Sequence, residues 1–152
     1  MKMTVSPNSL FWTSDTHFYH KNIMKFNPDT RSKFGSDHVE AVDGMIEAWN
    51  GVATENSTII HLGDFFFCSW SRATKILDRL KGNIIFVSGN HDQVMFKNRH
   101  ELKDRFTAIE WSGLAEFKVD GKTYVACHYP IMSWNKRHYG ARHVFGHVHG
   151  NI

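Results

Sequence analysis

Asp, His and Asn side chains that can bind divalent metal ions occur in five short groups along the chain. Two groups, Asp15-Thr16-His17 and His147-Val148-His149, carry ligand residues two positions apart. On an extended backbone, both side chains of such a group point to the same side and can reach one ion or two adjacent ions. The other groups are Gly63-Asp64, Gly89-Asn90-His91-Asp92 and a single histidine, His128. Together the five groups predict a site for two metal ions, which no single group would predict.

The three central groups each admit a second interpretation. Asp64 can bridge two cations through its two oxygens, but an aspartate after glycine is also typical of a turn or a helix N-cap. Asn90 offers a neutral oxygen ligand, whereas a histidine followed by an aspartate is typical of an oriented acid or base. Gly-Asn is also a common turn dipeptide, yet the two further polar residues, His91 and Asp92, favour function. His128 is informative only together with the other groups, because a single histidine after an apolar strand is more often a core residue.

The elements that must position these groups are short apolar strands. We predict strands over residues 10–14, 58–62 and 84–88, and each one ends directly before a candidate ligand group. Ligands of open α/β sheets bind in the crevice beyond the carboxyl ends of the strands, where loops from distant positions meet. Helices are predicted between these strands over residues 37–50 and 71–81. The sequence therefore favours an α/β fold with the metal site at one sheet edge.

Local signals refine this outline. Asp37 and Glu40 form a predicted capping pair, and Gly82 ends the second helix. Asp120-Gly121 predicts a hairpin between strands over residues 114–119 and 122–127. A last strand is predicted over residues 142–145, and a short helix over residues 98–106. The inward face of the first helix is predicted to carry Val39, Val42, Ile46 and Trp49.

Length and composition indicate one globular domain. The chain has 152 residues, of which 41% are hydrophobic and 22% charged, enough to bury a core without disulfides. A net charge of +3 would tolerate or attract an anionic substrate but is far below that of a protein that coats nucleic acid. Cys68 and Cys127 are expected to be reduced thiols. Without a signal peptide or an apolar run of membrane-spanning length, the sequence predicts a cytoplasmic protein.

In their order along the chain, the five groups resemble the calcineurin-like metallophosphoesterase superfamily, over residues 15–149. Residues 14–18 and 61–64 are similar to the small bacterial and phage members that lack a cap domain. The resemblance implies an α/β fold, a four-layer α/β/β/α sandwich with two mixed sheets and a binuclear metal site at the C-terminal ends of the strands. Residues 1–152 are expected to form a single metallophosphoesterase domain. Other members continue past Gly-His-x-His, so either some C-terminal sheet residues are missing from this sequence or this member is unusually short.

The resemblance also implies a role for each candidate residue. Asp64 would bridge the ions, His91 would be the general acid, and Asp92 would be the hydrogen-bond partner that holds the His91 tautomer. The first ion would be bound by Asp15, His17, Asp64 and His149, and the second by Asp64, Asn90, His128 and His147. A hydroxide that bridges the ions would attack a phosphodiester or phosphomonoester. The mixed ligands favour borderline ions over calcium but do not choose among them; manganese is the expected metal, with iron, zinc or nickel as alternatives.

The substrate is expected to be a nucleotide or another small phosphoester, or nucleic acid, and no membrane partner is expected. The alternative function is a non-catalytic protein-binding module on the same fold, which would have no need of His91. Residues 129–139 mix aromatic and basic side chains and either border the site or form a solvated loop. Residues 65–67 either line a pocket or pack beneath the following helix. The remaining histidines are expected to be structural or exposed, and His20 is the one exception that could belong to the site.

Overall fold

The protein is described here by a computed structural model that covers residues 1–150. Two four-stranded β-sheets form its frame: a wholly parallel sheet of order β2-β3-β4-β5 and a mixed sheet of order β1-β6-β7-β8. The strands are β1 (Lys2–Val5), β2 (Leu10–Thr13), β3 (Thr58–His61), β4 (Asn83–Val87), β5 (Ala108–Glu110), β6 (Leu114–Val119), β7 (Lys122–Cys127) and β8 (Arg142–Val144). The predicted sandwich is confirmed, although one of its sheets is wholly parallel.

The helices are mostly short, and the longest one carries thirteen residues. They are α1 (Ile23–Phe26), α2 (Pro28–Arg31), α3 (Glu40–Val52), α4 (Trp70–Leu77) and α5 (Gln93–Lys97), with 3-10 turns at Ser32–Phe34, Arg99–Glu101 and Arg137–Tyr139. Within residues 1–150, no helix is long and apolar enough to cross a membrane.

Alternate residues of the parallel strands bury their side chains on opposite faces. Ile60 and Ile85 pack against Phe117 of the mixed sheet, in the core between the two sheets. Ile84 and Phe86 point the other way, into a second core beneath the helices. Full burial of such a side chain contributes about 1.5–3 kcal/mol, so these two cores hold the layers together.

The outer face of the mixed sheet is covered by the chain between residues 129 and 141. The amide of Asn135 donates to the Glu116 carboxylate at 2.9 Å. The indole of Trp134 lies 5.2 Å from the His143 ring and donates to the Ala141 carbonyl at 2.8 Å. The fourth layer is therefore a thin one, made of irregular chain and a single 3-10 turn.

Most of the predicted elements are confirmed to within a few residues. The hairpin has the predicted bounds, and Asp120 and Gly121 both have positive φ angles, 47° and 73°, as its tight turn requires. The Asp37 carboxylate accepts the N–H groups of Val39 and Glu40 at 2.7 and 3.0 Å and so closes the turn before α3, but the N-cap position itself is Val39, which makes no side-chain cap bond. The Glu40 carboxylate, however, bonds to Ser36 and does not return to Asp37.

Three expectations are wrong or incomplete. Residues 98–106 form no α-helix, because Leu102 and Phe106, which mimic one helical face, reach the core from irregular chain. Val39 is 50% exposed, since it precedes the first turn of α3 and lies off its buried face. The edge strands β1 and β5, of four and three residues, have no counterpart among the predicted elements.

Candidate metal centre

The loops that follow five of the strands converge at one edge of the sandwich. In the parallel sheet, Thr13 lies beside His61 and His61 lies beside Phe86, so β2, β3 and β4 end at the same level. Their following loops bring Asp15, Asp64 and Asn90 together. The loops after β7 and β8 contribute the remaining histidines, His128, His147 and His149.

Most of the candidate ligands lie on left-handed backbone. The expectation of extended backbone at residues 15–17 and 147–149 is therefore wrong. Such φ angles are uncommon outside glycine and cost about 1–2 kcal/mol per residue. The loop after β2 is held in this path by the loop after β3, whose Gly63 and Asp64 carbonyls accept the N–H groups of Asp15 and His17 at 2.9 and 3.0 Å. The φ angles are 51° at Asp15, 50° at His17, 57° at Asp64, 68° at His147 and 50° at His149.

A first group of ligand atoms is formed by Asp15, His17 and His149. The Nε2 atoms of the two histidines are 3.2 Å apart, and Asp15 Oδ1 lies 3.5 and 3.4 Å from them. Asp15 Oδ2 accepts the His147 N–H at 2.9 Å. Asp15 Oδ1 and His17 Nδ1 are buried and have no hydrogen-bond partner within residues 1–150. Since an unpaired buried polar atom is costly, a cation among these side chains fits the donor set.

A second group is formed by Asp64, His128 and Asn90. The Nδ1–H of His128 donates to the Leu62 carbonyl at 2.7 Å, which leaves Nε2 directed at Asp64 and Asn90. That nitrogen lies 3.5 Å from Asp64 Oδ2 and 3.0 Å from Asn90 Oδ1. A neutral imidazole would therefore point a lone pair at two oxygen acceptors, so a proton or a metal ion belongs between them.

The two groups are continuous through their carboxylates. Asp64 Oδ2 faces both His128 and His17, whose Nε2 atom is 4.0 Å away, while Oδ1 accepts the His91 N–H at 2.9 Å. Asp15 also lies close to both groups. His147 is placed further out, with its ring 5.1 Å from that of His128. The structure thus brings together every predicted ligand except His147, which lies outside the two closest groups in residues 1–150.

The electrostatics favour charged carboxylates. Burial alone would raise the pKa of Asp15, but the nearby side chains of His17 and Ser14 and the hydrogen bond from the His147 N–H lower it below the ordinary value. The pKa of Asp64 is lowered in the same way, against burial, by His128 and the His91 N–H. Against its own burial, His128 has a raised pKa because of Asp64. A metal ion at His128 competes with a proton for the same nitrogen, so its binding weakens as the pH falls.

Asp92 does not hold the tautomer of His91, and this expectation is wrong. Its buried carboxylate accepts three backbone N–H groups, from Asp64 at 2.8 Å, Gly89 at 2.7 Å and Phe65 at 2.9 Å. Burial raises the pKa of Asp92, and the three N–H donors oppose that rise. Asp92 therefore ties the loop after β4 to the loop after β3 and fixes the main chain at Asp64.

A buried histidine, His61, supports the same loops from beneath. Its Nδ1 accepts the Gly63 N–H at 3.2 Å, so its proton is on Nε2, which lies 3.1 Å from Thr16 Oγ1. The Thr16 hydroxyl in turn donates to the Phe65 carbonyl at 3.0 Å. Burial lowers the pKa of His61 to about 3, so the ring is neutral and its two hydrogen bonds stay in this order. The expectation that His61 is structural agrees with these contacts.

Arg31 is a supporting residue that the sequence did not indicate. Its guanidinium donates to the main-chain carbonyls of Asp15 and Thr16, inside the left-handed turn. Burial lowers its pKa, and the Asp15 charge opposes that change. Arg31 lies in the short helix α2, sixteen residues after Asp15, and no motif or spacing in the sequence connects the two residues.

Two glycines let the loops approach each other closely. A Cβ on Gly89 would collide with the backbone and carboxylate of Asp64, and one on Gly146 would collide with the carboxylate of Asp15. At both positions the backbone lies so close to a candidate ligand residue, Asp64 or Asp15, that no side chain larger than that of glycine would fit.

A cleft of about 320 Å³ opens over the ligand groups and exposes His91. The His91 ring lies 6.4 Å from that of His17 and 4.9 Å from that of Phe67. Phe65 and Phe66 are buried in the core, while Phe67 is only partly buried and lines the cleft. Both interpretations of residues 65–67 thus hold, for different residues of the run.

Comparisons with known proteins agree with this geometry. A family model described as the calcineurin-like phosphoesterase superfamily domain matches residues 9–151. An uncharacterized protein of Methanocaldococcus jannaschii is 28% identical over 149 residues, which are 97% of this chain and 73% of the relative. A crystal structure of a protein of unknown function from Aquifex aeolicus is similar with a TM-score of 0.61 and 30% identity. That match covers 86% of this chain and 66% of the crystallised one. The chain therefore belongs to the calcineurin-like phosphoesterase superfamily.

Proposed function

We propose that this protein is a metal-dependent phosphoesterase that hydrolyses phosphodiesters or phosphomonoesters. The main support is the first ligand group, in which the buried Asp15 Oδ1 has no hydrogen-bond partner within residues 1–150 and lies 3.5 and 3.4 Å from the Nε2 atoms of His17 and His149. These atoms lie beside an open cleft that His17 and His149 line. Natural proteins rarely leave such atoms unpaired without a functional reason. Because they adjoin a second group that has its own need for a cation, the site suits two ions.

The residues divide into two sets of ligands with Asp64 shared. Asp15, His17 and His149 would hold the first ion with Asp64, and Asn90, His128 and His147 would hold the second. When bound, two divalent ions supply a water activated at neutral pH and positive charge against the phosphoryl oxygens. Manganese is the proposed metal, with iron, zinc or nickel as alternatives.

His91 would protonate the leaving oxygen. Its backbone N–H is fixed on Asp64 Oδ1, so the residue is anchored to the proposed bridging ligand, while its side chain is exposed in the cleft. With Asp92 occupied by backbone N–H groups, the His91 ring is oriented by its packing against Phe67. A general acid of this kind contributes about 10²–10⁴-fold to the rate.

The experiment that tests this function is metal removal and restoration. The protein is stripped with a chelator and assayed on bis-p-nitrophenyl phosphate and p-nitrophenyl phosphate after addition of Mn²⁺, Fe²⁺, Zn²⁺ or Ni²⁺. We expect the stripped protein to be inactive and at least one ion to restore hydrolysis. His17→Ala should abolish restoration, whereas His138→Ala, which removes an exposed histidine outside the site, should not. Failure of every ion on both esters would refute the proposal and favour a non-catalytic module.

The pH profile gives a second check on the same proposal. The ligand imidazoles must be neutral to bind metal, so the rate should fall as the pH drops below about 6.5, the ordinary pKa of histidine. A rate that stays constant down to about pH 4, far below that pKa, would contradict histidine-bound metal.

A further inference from the structure

One wall of the cleft is aromatic and lies outside the two candidate ligand groups. It is made by Phe26, Phe67 and the imidazole of His20, with Ile23 beneath. The His20 and Phe67 rings lie 4.1 Å apart, and the Phe26 ring lies 6.4 Å from His20. The wall therefore runs from the ligand group out to the surface.

Phe67 joins this wall to the reacting centre. Its ring lies 5.0 Å from His17 on one side and 4.9 Å from His91 on the other. Whatever lies against Phe67 is therefore beside the group that we propose to protonate the leaving oxygen.

Phe26 has no packing role that explains its position. It is 71% exposed, whereas Ile23 of the same short helix is 6% exposed and anchors α1 to the protein. Phe65 and Phe66 fill the core next to Phe67, so the aromatic surface of the cleft is not needed to complete the core. An exposed apolar surface that borders a polar site is typical of a ligand-binding wall.

We propose that this wall binds the planar, aromatic part of the substrate, on its leaving-group side, so that the enzyme prefers aryl or heteroaryl phosphoesters to alkyl ones. The inference rests on the proposed function and adds the substrate class. The ring of the substrate lies against Phe26 and Phe67 while the phosphoryl group faces the ligand groups. A phenyl ring and a nucleobase share the planar chemistry that the wall recognises.

Direct binding tests the wall without hydrolysis. Methylphosphonate, phenylphosphonate and an adenosine 5′-phosphonate are titrated into the Mn²⁺-loaded protein by calorimetry. Stacking of a ring on an aromatic side chain is worth about 1–2 kcal/mol, so phenylphosphonate should bind about 5- to 30-fold more tightly than methylphosphonate. A further gain with the adenosine compound would identify a nucleobase as the natural ring, and equal affinity would identify a simple aryl group.

Phe26→Ala should reduce the preference for phenylphosphonate to about threefold or less, and Phe26→Tyr should retain it, because the ring is what matters. Tyr139→Ala removes another exposed aromatic ring, 89% accessible and outside the cleft, and should change nothing. Because Phe26 is exposed, its replacement should leave the fold and the metal content unchanged.

Equal affinity for the two simple phosphonates in the wild type, or a full preference in Phe26→Ala, would overturn the aromatic wall. In either case, methylphosphonate binding and ester hydrolysis would persist, so the phosphoesterase proposal would stand. Failure of all three phosphonates to bind, together with no hydrolysis under any metal, would overturn both proposals.

Discussion

Replacing Asp92 by Asn tests whether this buried carboxylate anchors loops or serves His91. The carboxylate accepts three backbone N–H groups at 2.7–2.9 Å, two on Oδ2 and one on Oδ1. Asparagine has only one acceptor oxygen. If that oxygen takes the Oδ2 position, it keeps the N–H groups of Asp64 and Gly89, but its amide group then faces the Phe65 N–H. At least one buried donor is left unpaired.

The expected loss follows from these contacts. A buried unpaired donor costs about 1–3 kcal/mol, and the two retained bonds lose the strength that a charged acceptor gives. Because asparagine is neutral, it also avoids the burial cost that raises the pKa of Asp92. The free energy of unfolding should therefore fall by about 2–3 kcal/mol, which for a domain of this size lowers Tm by about 4–12 °C.

Urea denaturation and thermal melting of the metal-free protein measure this loss, and calorimetry with Mn²⁺ measures the accompanying loss of metal affinity as Asp64 moves. Asp104→Asn, an exposed aspartate, is the matched control. A variant with wild-type stability and metal affinity, but with a shifted pH dependence of kcat, would refute the anchoring role. That result would instead support Asp92 as the hydrogen-bond partner of the His91 ring.

Four further substitutions test the other parts of the site. Asp64→Asn should lower metal content, and full occupancy of both sites by elemental analysis would contradict a shared ligand. His91→Ala should keep both ions yet lose about 10²–10⁴-fold in kcat, and an unchanged kcat would exclude it as the acid. In Arg31→Lys the ammonium group cannot reach both carbonyls of the left-handed turn, so the free energy of unfolding measured in urea should fall by about 1–2 kcal/mol. Unchanged stability would contradict the supporting role of Arg31. His61 has its pKa lowered by burial from 6.5 to about 3, so its stabilising effect is complete above 6.5 and is lost as the pH falls towards 3. The free energy of unfolding between about pH 7 and pH 4 should therefore change less steeply in His61→Gln than in the wild type, by up to about 1.4 kcal/mol per pH unit, and equal slopes would contradict this account.

The sheet frame and the convergence of the candidate ligand residues at one sheet edge can be predicted from the sequence. The strands that end at Thr13, His61 and Val87 are apolar and flanked by glycine or polar residues, so each can be predicted from its own short stretch of sequence. Their common direction follows from the α/β alternation, which is why convergence of the ligand groups at one edge could be predicted.

The sequence does not predict the backbone conformation of the loops that carry the candidate ligands. Nor does it predict which distant residues hold those loops in place. The left-handed angles at Asp15 and His17 depend on carbonyls of the loop after β3, which are contacts between distant residues. Asp92 was expected to serve its sequence neighbour His91, but tertiary structure directs it to three N–H groups elsewhere. Arg31 and Phe26 lie in short helices whose sequences contain no sign of the site.

The left-handed turn at residues 15–17 limits how far the candidate metal centre can be transferred to another protein. A peptide or a designed strand that carries Asp-Thr-His would relax to an extended path, because nothing in those three residues maintains φ near 50°. A graft would need the loop after β3, the guanidinium of Arg31 and the hydroxyl contact of Thr16 as well. The smallest unit that could be transferred is therefore the pair of adjacent parallel strands β2 and β3 with their following loops, together with Arg31. The Asp-Thr-His motif alone identifies the site but does not form it.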